Sequence, residues 1–98
     1  MNSLNRIIKK NESIAYRVID EEALLVSPLD NLIYPLNLVA TRIWELIDGK
    51  RNINEINAVI IEEFDVMPTE VQNDTMSFVE DLLNKKLVFI CIETTDKH

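Results

Sequence analysis

The fold is decided by residues 31–49, NLIYPLNLVATRIWELIDG, where the apolar pattern changes its period. The segment LIYPL at residues 32–36 is apolar and directly follows turn-forming residues, which favours a strand. From Asn37 onwards apolar residues recur at helical spacing, and Gly49, the only glycine, follows where a left-handed C-terminal cap is expected. The stretch therefore predicts a strand that leads directly into a helix. The apolar residues at i, i+3, i+4 and i+7 of this helix are Ala40, Ile43, Trp44 and Ile47.

Pro35 indicates that the predicted strand lies at the edge of a sheet. Proline has no N–H to give to a strand ladder, so within sheets it is found on edge strands or at strand ends. With this gap facing outward, alternation places Leu32, Tyr34 and Leu36 on one face of the sheet and Ile33 on the other. An open edge has free backbone groups that can pair with an extended segment of another chain.

The elements on either side of this stretch complete an α+β domain. The predicted order is strands at residues 14–19, 23–26 and 32–36, helices starting near residues 37, 52 and 69, and an extended segment at 87–92. A three-stranded antiparallel sheet followed by three helices is typical of a winged helix-turn-helix-like fold. We expect a flexible N-terminal arm over residues 1–13, one domain over 14–92 and a polar tail over 93–98.

The helix starts carry capping signals. Asn37 is a favoured N-cap for the first helix. Asn52 and Glu55 have the spacing of a capping box, and Thr69 and Gln72 predict a second box of the form T-x-x-Q. The third helix is predicted to end near residue 84.

The charge of the chain argues against nucleic acid and membrane surfaces as partners. Its 98 residues have a net charge of −7, from seventeen acidic and ten basic side chains. A recognition helix for DNA needs basic or amide side chains facing phosphates and bases. The third predicted helix instead carries Glu70, Asp74, Glu80 and Asp81, with no basic residue before Lys85. We therefore expect no nucleic-acid partner and no membrane partner.

Catalysis, metal binding and cofactor binding are not predicted. The only histidine is His98, the last residue, and the only cysteine, Cys91, lies in an apolar run typical of the core. The carboxylates of Glu62, Glu63 and Asp65 are typical of a solvated face, since successive positions do not converge on one centre. One glycine in the chain does not allow a phosphate loop.

The chain also lacks the sequence marks of secretion and of a membrane span. A single cysteine cannot form an intrachain disulfide, and no apolar run approaches the ~20 residues of a membrane-spanning helix. The N-terminus has no apolar region typical of a signal peptide. We expect a reduced, cytoplasmic protein without enzyme activity.

The third helix has a wider apolar surface than packing on one side requires. Its predicted core stripe consists of Val71, Thr75, Phe78, Val79 and Leu82. Met76, Val79 and Leu83 form an adjoining line at i, i+3 and i+7. From the residues alone, two interpretations stay open: this line forms a groove with the edge strand, or it packs on the arm, the last segment or a second copy.

A family resemblance rests on the joint spacing of residues 31–49 and of positions that follow them. The matching positions are Tyr34, Leu36-Asn37, Ala40, Ile43-Trp44 and Asp48-Gly49. This pattern resembles the signature of the PqqD-like proteins, named for a protein of pyrroloquinoline quinone biosynthesis. The family includes the precursor-recognition domains of ribosomally made, modified peptides, and the resemblance covers roughly residues 14–90. Lys86 departs from it, since a glycine is common at that position.

The resemblance implies a function in peptide capture. Family members bind the leader region of a precursor peptide, which adds as a strand beside the third strand, with leader side chains in a groove formed with the third helix. They present the peptide to a modifying enzyme, often a radical S-adenosylmethionine enzyme. Carried over by position, the expected peptide-binding residues are Asn31, Leu32, Ile33, Tyr34, Met76, Val79, Glu80 and Leu83. Pro35 removes one donor beside the pairing site.

Two other functions remain open at this point. The first is a scaffold protein without a peptide substrate, a homodimer through the last segment that buries the edge of the third strand. The second, less favoured because of the acidic third helix, is a winged-helix transcription factor with salt-dependent DNA binding.

Overall fold

A computed structural model describes residues 6–28 and 30–91 of the chain. The α+β arrangement predicted from the sequence is confirmed, with one additional strand near the N-terminus. The elements are β1 Ile8–Lys10, β2 Ala15–Ile19, β3 Glu22–Ser27, β4 Leu32–Pro35, α1 Leu38–Leu46, α2 Ile53–Phe64, α3 Pro68–Asn84 and β5 Val88–Ile90.

Strands β2, β3 and β4 form an antiparallel three-stranded sheet in that spatial order. The β2–β3 connection is tight because Asp20 and Glu21 both have positive φ angles, 52° and 72°. Two successive residues with positive φ match the right-handed twist of a hairpin. Strands β2 and β4 are thus the two edges of this sheet.

The end of β4 is fastened to the sheet and to α1 by a buried threonine. The Leu36 N–H donates to the Ala23 carbonyl at 2.8 Å. Thr41 Oγ1 accepts from the Ala23 N–H at 2.8 Å and donates to the Leu36 carbonyl at 3.4 Å. The backbone N–H and C=O groups of successive strand residues point alternately to the two sides of the strand. Because the Leu36 N–H points towards β3, the backbone groups of Ile33 and Pro35 point to the open side. The prediction that this strand lies at an edge of the sheet is confirmed, and the side of Pro35 without an N–H faces the open edge.

A second sheet of two strands holds the N-terminal and C-terminal parts of the domain together. β1 pairs antiparallel with β5, and Ile8, the first residue of β1, is fully buried. The Cys91 N–H donates to the Ile7 carbonyl at 2.8 Å. Residues 8–10, which were expected to belong to the arm, therefore form a strand that pairs with the C-terminal part of the domain. Residues 1–5 of that arm and the predicted tail at 93–98 lie outside the described residues.

The starts of α1 and α2 follow their capping signals. Asn37 Oδ1 accepts from the Ala40 N–H at 2.8 Å. Asn52 Oδ1 accepts from the Glu55 N–H, and Glu55 Oε1 accepts from the Asn52 N–H, both at 2.8 Å. Both predicted N-caps are confirmed.

The predicted capping box at the start of α3 is wrong. The helix begins at Pro68, and its N-cap is Met67, two residues before the predicted Thr69 and without a side-chain capping bond. Proline favours the first helical position because its fixed φ is helical and its missing N–H would have no partner there. Thr69 is therefore already inside the first turn, where it cannot act as the N-cap.

The turn after α1 is built around Asp48 and Gly49. The helix ends at Leu46 with an extended C-cap, so Gly49 is not its immediate cap, although its φ is positive at 77°. Asp48 Oδ1 accepts from the backbone N–H groups of Lys50 and Arg51, both at 2.9 Å. The Gly49 N–H donates to the Ile8 carbonyl at 3.0 Å, which joins this turn to β1.

The end of α3 explains the departure at Lys86. The Leu87 N–H donates to the Leu82 carbonyl at 2.9 Å, and the Lys86 N–H donates to the Leu83 carbonyl at 3.1 Å. This bond pattern is a Schellman motif, which needs a left-handed residue and favours glycine there. Lys86 takes this conformation with a φ of 62°.

The core lies between the inner face of the three-stranded sheet and the three helices. Trp44 is buried in this core. The Tyr16 ring packs edge-on against it at a centroid distance of 6.3 Å, and Lys10 Nζ lies 5.3 Å from the centroid of the Trp44 ring. Desolvation lowers the pKa of Lys10 below its usual value. The other large apolar side chains with less than 2% exposure are Ile8, Leu25, Ile47, Ile53, Ile56, Ile60, Leu87, Val79 and Val88.

Candidate functional site

The free edge of β4 presents backbone groups and apolar side chains to solvent. Ile33 is 60% exposed, and Leu32 beside it is half exposed. The register pairs Tyr34 with Leu25 and Ile33 with Val26, so Tyr34 shares the inner face and Ile33 the outer face. An added strand would therefore send alternate side chains towards the helices and away from them.

A cavity of about 280 Å³ lies directly inside this edge, between β4 and α3, and we call it the strand cavity. Its strand and α1 side is lined by Tyr34, Pro35, Leu36, Asn37 and Ala40. Its opposite side is lined by Phe78, Asp81, Leu82 and Lys85 of α3, and by Leu87. The open edge and the apolar cavity are thus neighbouring parts of one surface.

Polar side chains surround the strand cavity, and one contact, between Lys85 and Tyr34, joins its two sides. Tyr34 Oη donates to Asp30 Oδ2 at 3.2 Å, and Lys85 Nζ lies 5.6 Å from the centroid of the Tyr34 ring. Lys85 also donates to Asp81 Oδ1 at 2.6 Å. Desolvation, followed by the nearby Asp30 carboxylate, raises the pKa of the Tyr34 phenol. The phenol is therefore a hydrogen-bond donor at neutral pH, held in place beside the open edge.

The strand half of the predicted site is brought together by the fold. Leu32, Ile33 and Tyr34 are consecutive residues of β4. Asn31 precedes them in the β3–β4 turn, where its positive φ of 56° marks the end of the strand. Tyr34 alone of these four lines the strand cavity.

Of the helix half of the predicted site, only Met76 and Leu83 lie on the other flank of α3. Val79 is 1% exposed and belongs to the core, while Met76 and Leu83 are partly buried against it. Glu80 lines a shallow surface of α3 that adjoins the strand cavity, since Phe78 and Asp81 line both. At about 3.6 residues per turn, Met76 and Leu83 project from one side of the buried stripe and Phe78 from the other. None of the four predicted helix residues lines the strand cavity.

The sequence did not single out the helix residues that do face β4. Phe78 was assigned to the core stripe, and it is partly buried there while it also lines the cavity. Asp81 and Lys85 were treated as surface charges. The signal that could have indicated these residues was Lys85, the first basic residue after the start of α3, which stands four positions after Asp81.

A second cavity of about 340 Å³ lies between α1, the α2–α3 turn and the N-terminal half of α3, and we call it the helix cavity. It shares Asn37, Ala40 and Phe78 with the strand cavity, so the two adjoin. From α1 and the turn it is further lined by Val39, Ile43 and Val66, and from α3 by Glu70, Val71, Asp74 and Thr75. Its walls are mainly apolar, with two carboxylates on α3.

The described residues contain no arrangement for catalysis by a metal ion. Over residues 6–28 and 30–91, no group of three or more His, Cys, Asp or Glu side chains could hold a metal ion. Of the acidic cluster, Glu63 accepts from Arg42 at 2.8 and 2.9 Å, and this guanidinium lowers the pKa of Glu63. Cys91 is a free, partly exposed thiol, and His98 lies outside the described residues.

The helices that the structure describes do not include a membrane span, since none combines the required length with the required hydropathy.

Sequence comparison identifies a protein family whose pattern matches the part of the chain that forms this site. The pattern of the family described as coenzyme PQQ synthesis protein D (PqqD) matches residues 22–88, which is more than half of the chain. The chain belongs to the PqqD family. The matched range runs from β3 to the start of β5, so it includes both walls of the strand cavity.

A solved structure shares the fold of this PqqD family member. It is described as TbiB1 in complex with the TbiA(beta) leader peptide, and it superimposes with a TM-score of 0.76 at 27% sequence identity. The alignment covers 87% of this chain and 99% of the other. No curated protein matches the sequence of this chain.

Proposed function

We propose that this PqqD family member binds the leader region of a ribosomally made precursor peptide and presents it to a modifying enzyme. The observation that carries this proposal is the open edge of β4 directly beside the strand cavity. Membership in the family supports it, as does the leader peptide bound in the similar structure of TbiB1.

The backbone of β4 supplies part of the binding energy. Ile33 offers an N–H and a carbonyl to an added strand, whereas Pro35 offers a carbonyl only. At about 0.5–1.5 kcal/mol for each bond, three bonds give roughly 1.5–4.5 kcal/mol. Micromolar binding requires about 8 kcal/mol, so side chains of the peptide must supply the rest.

The strand cavity is the proposed receptor for those side chains. Every second side chain of a strand beside β4 points to the inner face of the sheet, where Tyr34 and Phe78 form opposite walls. Lys85 and Asp81 at the rim can contact polar groups of the peptide. The proposed site keeps residues 31–34 of the predicted set and uses Phe78, Asp81 and Lys85 of α3 in place of the predicted helix residues.

The proposed role is binding without bond making. Backbone pairing fixes the register of the peptide, and the cavity selects its sequence. The chemistry is left to a partner enzyme. We propose a radical S-adenosylmethionine enzyme as that partner, because proteins with this resemblance often act with one.

The test is an amide NMR titration with the leader region of the precursor peptide encoded nearest to this chain. We expect shifts at residues 31–36 and at residues 78–85, and few shifts on the flank of α3 that includes Met76. Saturating peptide that moves none of the amides near β4 would refute the proposal. Shifts centred on Met76 and Leu83 would restore the helix half predicted from the sequence.

A homodimer through β5 is the second candidate. Phe89 and Ile90 are 42% and 43% exposed, and β5 pairs with β1 only among the described strands. Light scattering of the purified chain distinguishes the two functions. A stable dimer that Phe89→Glu converts to monomers, with no response to any leader peptide, would favour the scaffold.

A further inference from the structure

We propose that the helix cavity is a second side-chain pocket for the same peptide, selective for a large apolar side chain next to a basic group. This inference rests on the proposed function, since it concerns where the peptide continues beyond β4. It specifies the substrate class: a leader in which an apolar residue and a lysine or arginine adjoin the segment that pairs with β4, at the end nearest Pro35.

The position of the helix cavity makes it the next receptor along the peptide. Asn37 follows β4 and caps α1, and it lines both cavities together with Ala40 and Phe78. A strand that pairs with Ile33 and runs past Pro35 therefore reaches the helix cavity after the strand cavity. The two cavities share these three lining residues, so they are adjacent along the surface.

The walls of the helix cavity suit a large apolar group. Its volume of about 340 Å³ exceeds that of the strand cavity. Ligand pockets of proteins start at about 300 Å³ and are lined mainly by apolar side chains with a few polar groups. The apolar wall is formed by Val39, Ile43, Val66, Val71 and Phe78.

Thr75 supplies an independent sign of a missing ligand. Its side chain is fully buried and lines the helix cavity. Thr75 Oγ1 has no hydrogen-bond partner among the described residues. A buried hydroxyl without a partner is costly, so a polar atom of a bound group within reach of Thr75 would be stabilised there.

The charges at the helix cavity favour a basic group on the peptide beside the apolar side chain. Glu70 and Asp74 stand four positions apart on α3, so their carboxylates lie on one face and repel each other. Neither forms an ion pair with any residue that the structure describes, whereas Asp81, further along the helix, is paired with Lys85. A basic group on the peptide would relieve this repulsion, and an acidic one would increase it.

The chemistry of the pocket is tested with two small probes of similar size and opposite charge. In an amide NMR titration of the full chain, we expect 2-phenylethylammonium to shift Val39, Val66 and Thr75 at millimolar concentration. We expect 3-phenylpropanoate to bind at least 5-fold more weakly, because like charges repel. Equal shifts by both probes, or none by the ammonium compound at 50-fold higher concentration, would overturn the selectivity for basic groups.

A charge-matched pair of variants assigns the effect to these carboxylates. Glu70→Gln combined with Asp74→Asn removes two negative charges at the cavity, and we expect leader affinity to fall about 3- to 10-fold. The control, Glu12→Gln combined with Glu62→Gln, removes two charges from exposed positions elsewhere, and we expect less than a 2-fold change.

A titration with the same leader peptide distinguishes the proposed function from the proposed second pocket. Shifts at both Ile33 and Val66, with weaker binding by the cavity variant alone, support the second pocket. Shifts at Ile33 without shifts at Val66, or equal affinities of the two variants, overturn the second pocket and leave the proposed function intact. Absence of shifts at both residues overturns the proposed function and, with it, the assignment of this cavity to a peptide.

Discussion

Phe78→Ala is expected to weaken leader binding more than any equally buried substitution on the other flank of α3. Phe78 lines both cavities and is only partly buried, so part of its ring is available to a peptide. If the peptide covers roughly 50 Å² of this ring, then at about 25 cal/mol per Å² the loss is ~1.3 kcal/mol. This corresponds to a roughly 10-fold rise in Kd.

The matched control is Met76→Ala. Met76 is also partly buried against the core, but it projects from the opposite flank of α3 and lines neither cavity. Both substitutions remove packed apolar atoms, and a fully buried Phe→Ala change costs about 3–5 kcal/mol of stability. We therefore expect roughly 2 kcal/mol or less for each partly buried residue, and urea unfolding checks that both variants remain folded.

The assay is isothermal titration calorimetry with the leader peptide at a temperature where both variants are folded. We expect a roughly 10-fold weaker Kd for Phe78→Ala and a change below 2-fold for Met76→Ala. An unchanged Kd for Phe78→Ala would refute the assignment of the peptide to this flank. Equal weakening in both variants would show that the effect comes from destabilisation of the helix and not from a lost contact.

Other predictions concern the backbone and the pH dependence. Gly49→Ala is expected to cost about 1–2 kcal/mol, because its positive φ disfavours a Cβ. By the same reasoning Lys86→Gly should stabilise the chain by up to ~1 kcal/mol; urea midpoints with unchanged slopes check both, and a change of opposite sign contradicts the conformational argument. Thr41→Val is expected to cost about 1–3 kcal/mol, because it leaves the buried N–H of Ala23 without its acceptor; a neutral result in the same assay would show that this bond is replaced. The Arg51 N–H, ahead of smaller contributions, holds the pKa of Asp48 below its usual 3.8. The resulting stability is therefore present above pH 3.8 and is lost as pH falls through the lower folded pKa. Asp48→Asn should reduce the loss of stability measured by urea unfolding between pH 4 and pH 2, and an unchanged pH profile would exclude this carboxylate as its source.

Features that depend on neighbouring residues were predictable from the sequence. Pro35 has no N–H, so it favours an edge strand whatever the order of the other strands. Asn37 and Asn52 cap helices through hydrogen bonds to residues three positions later. The first strand was not predictable in this way. Its three residues include two lysines, and its partner, β5, lies some eighty positions away in the chain. Only tertiary pairing makes Ile8–Lys10 a strand.

The flank of α3 that faces β4 was also beyond the sequence pattern. Phe78 on one side of the buried stripe and Met76 and Leu83 on the other are all partly buried, so the helix is apolar on both flanks. Which flank meets the edge strand depends on the rotation of α3 about its axis and on its crossing angle over the sheet. Neither is determined by a local sequence pattern. The resemblance implied a groove between strand and helix, and none of the four helix positions taken from it lines the strand cavity.

The pairing of β1 with β5 has a consequence for how the domain can be joined to other polypeptides. Ile8 and Ile90 are ladder partners, so their Cα atoms are about 5 Å apart and the chain enters and leaves the domain at one place. Domains with adjacent ends tolerate insertion into a loop of a host protein and circular permutation. A short linker across these ends, with the chain reopened in the β3–β4 turn, would place β4 at the new N-terminus while every helix kept its neighbours.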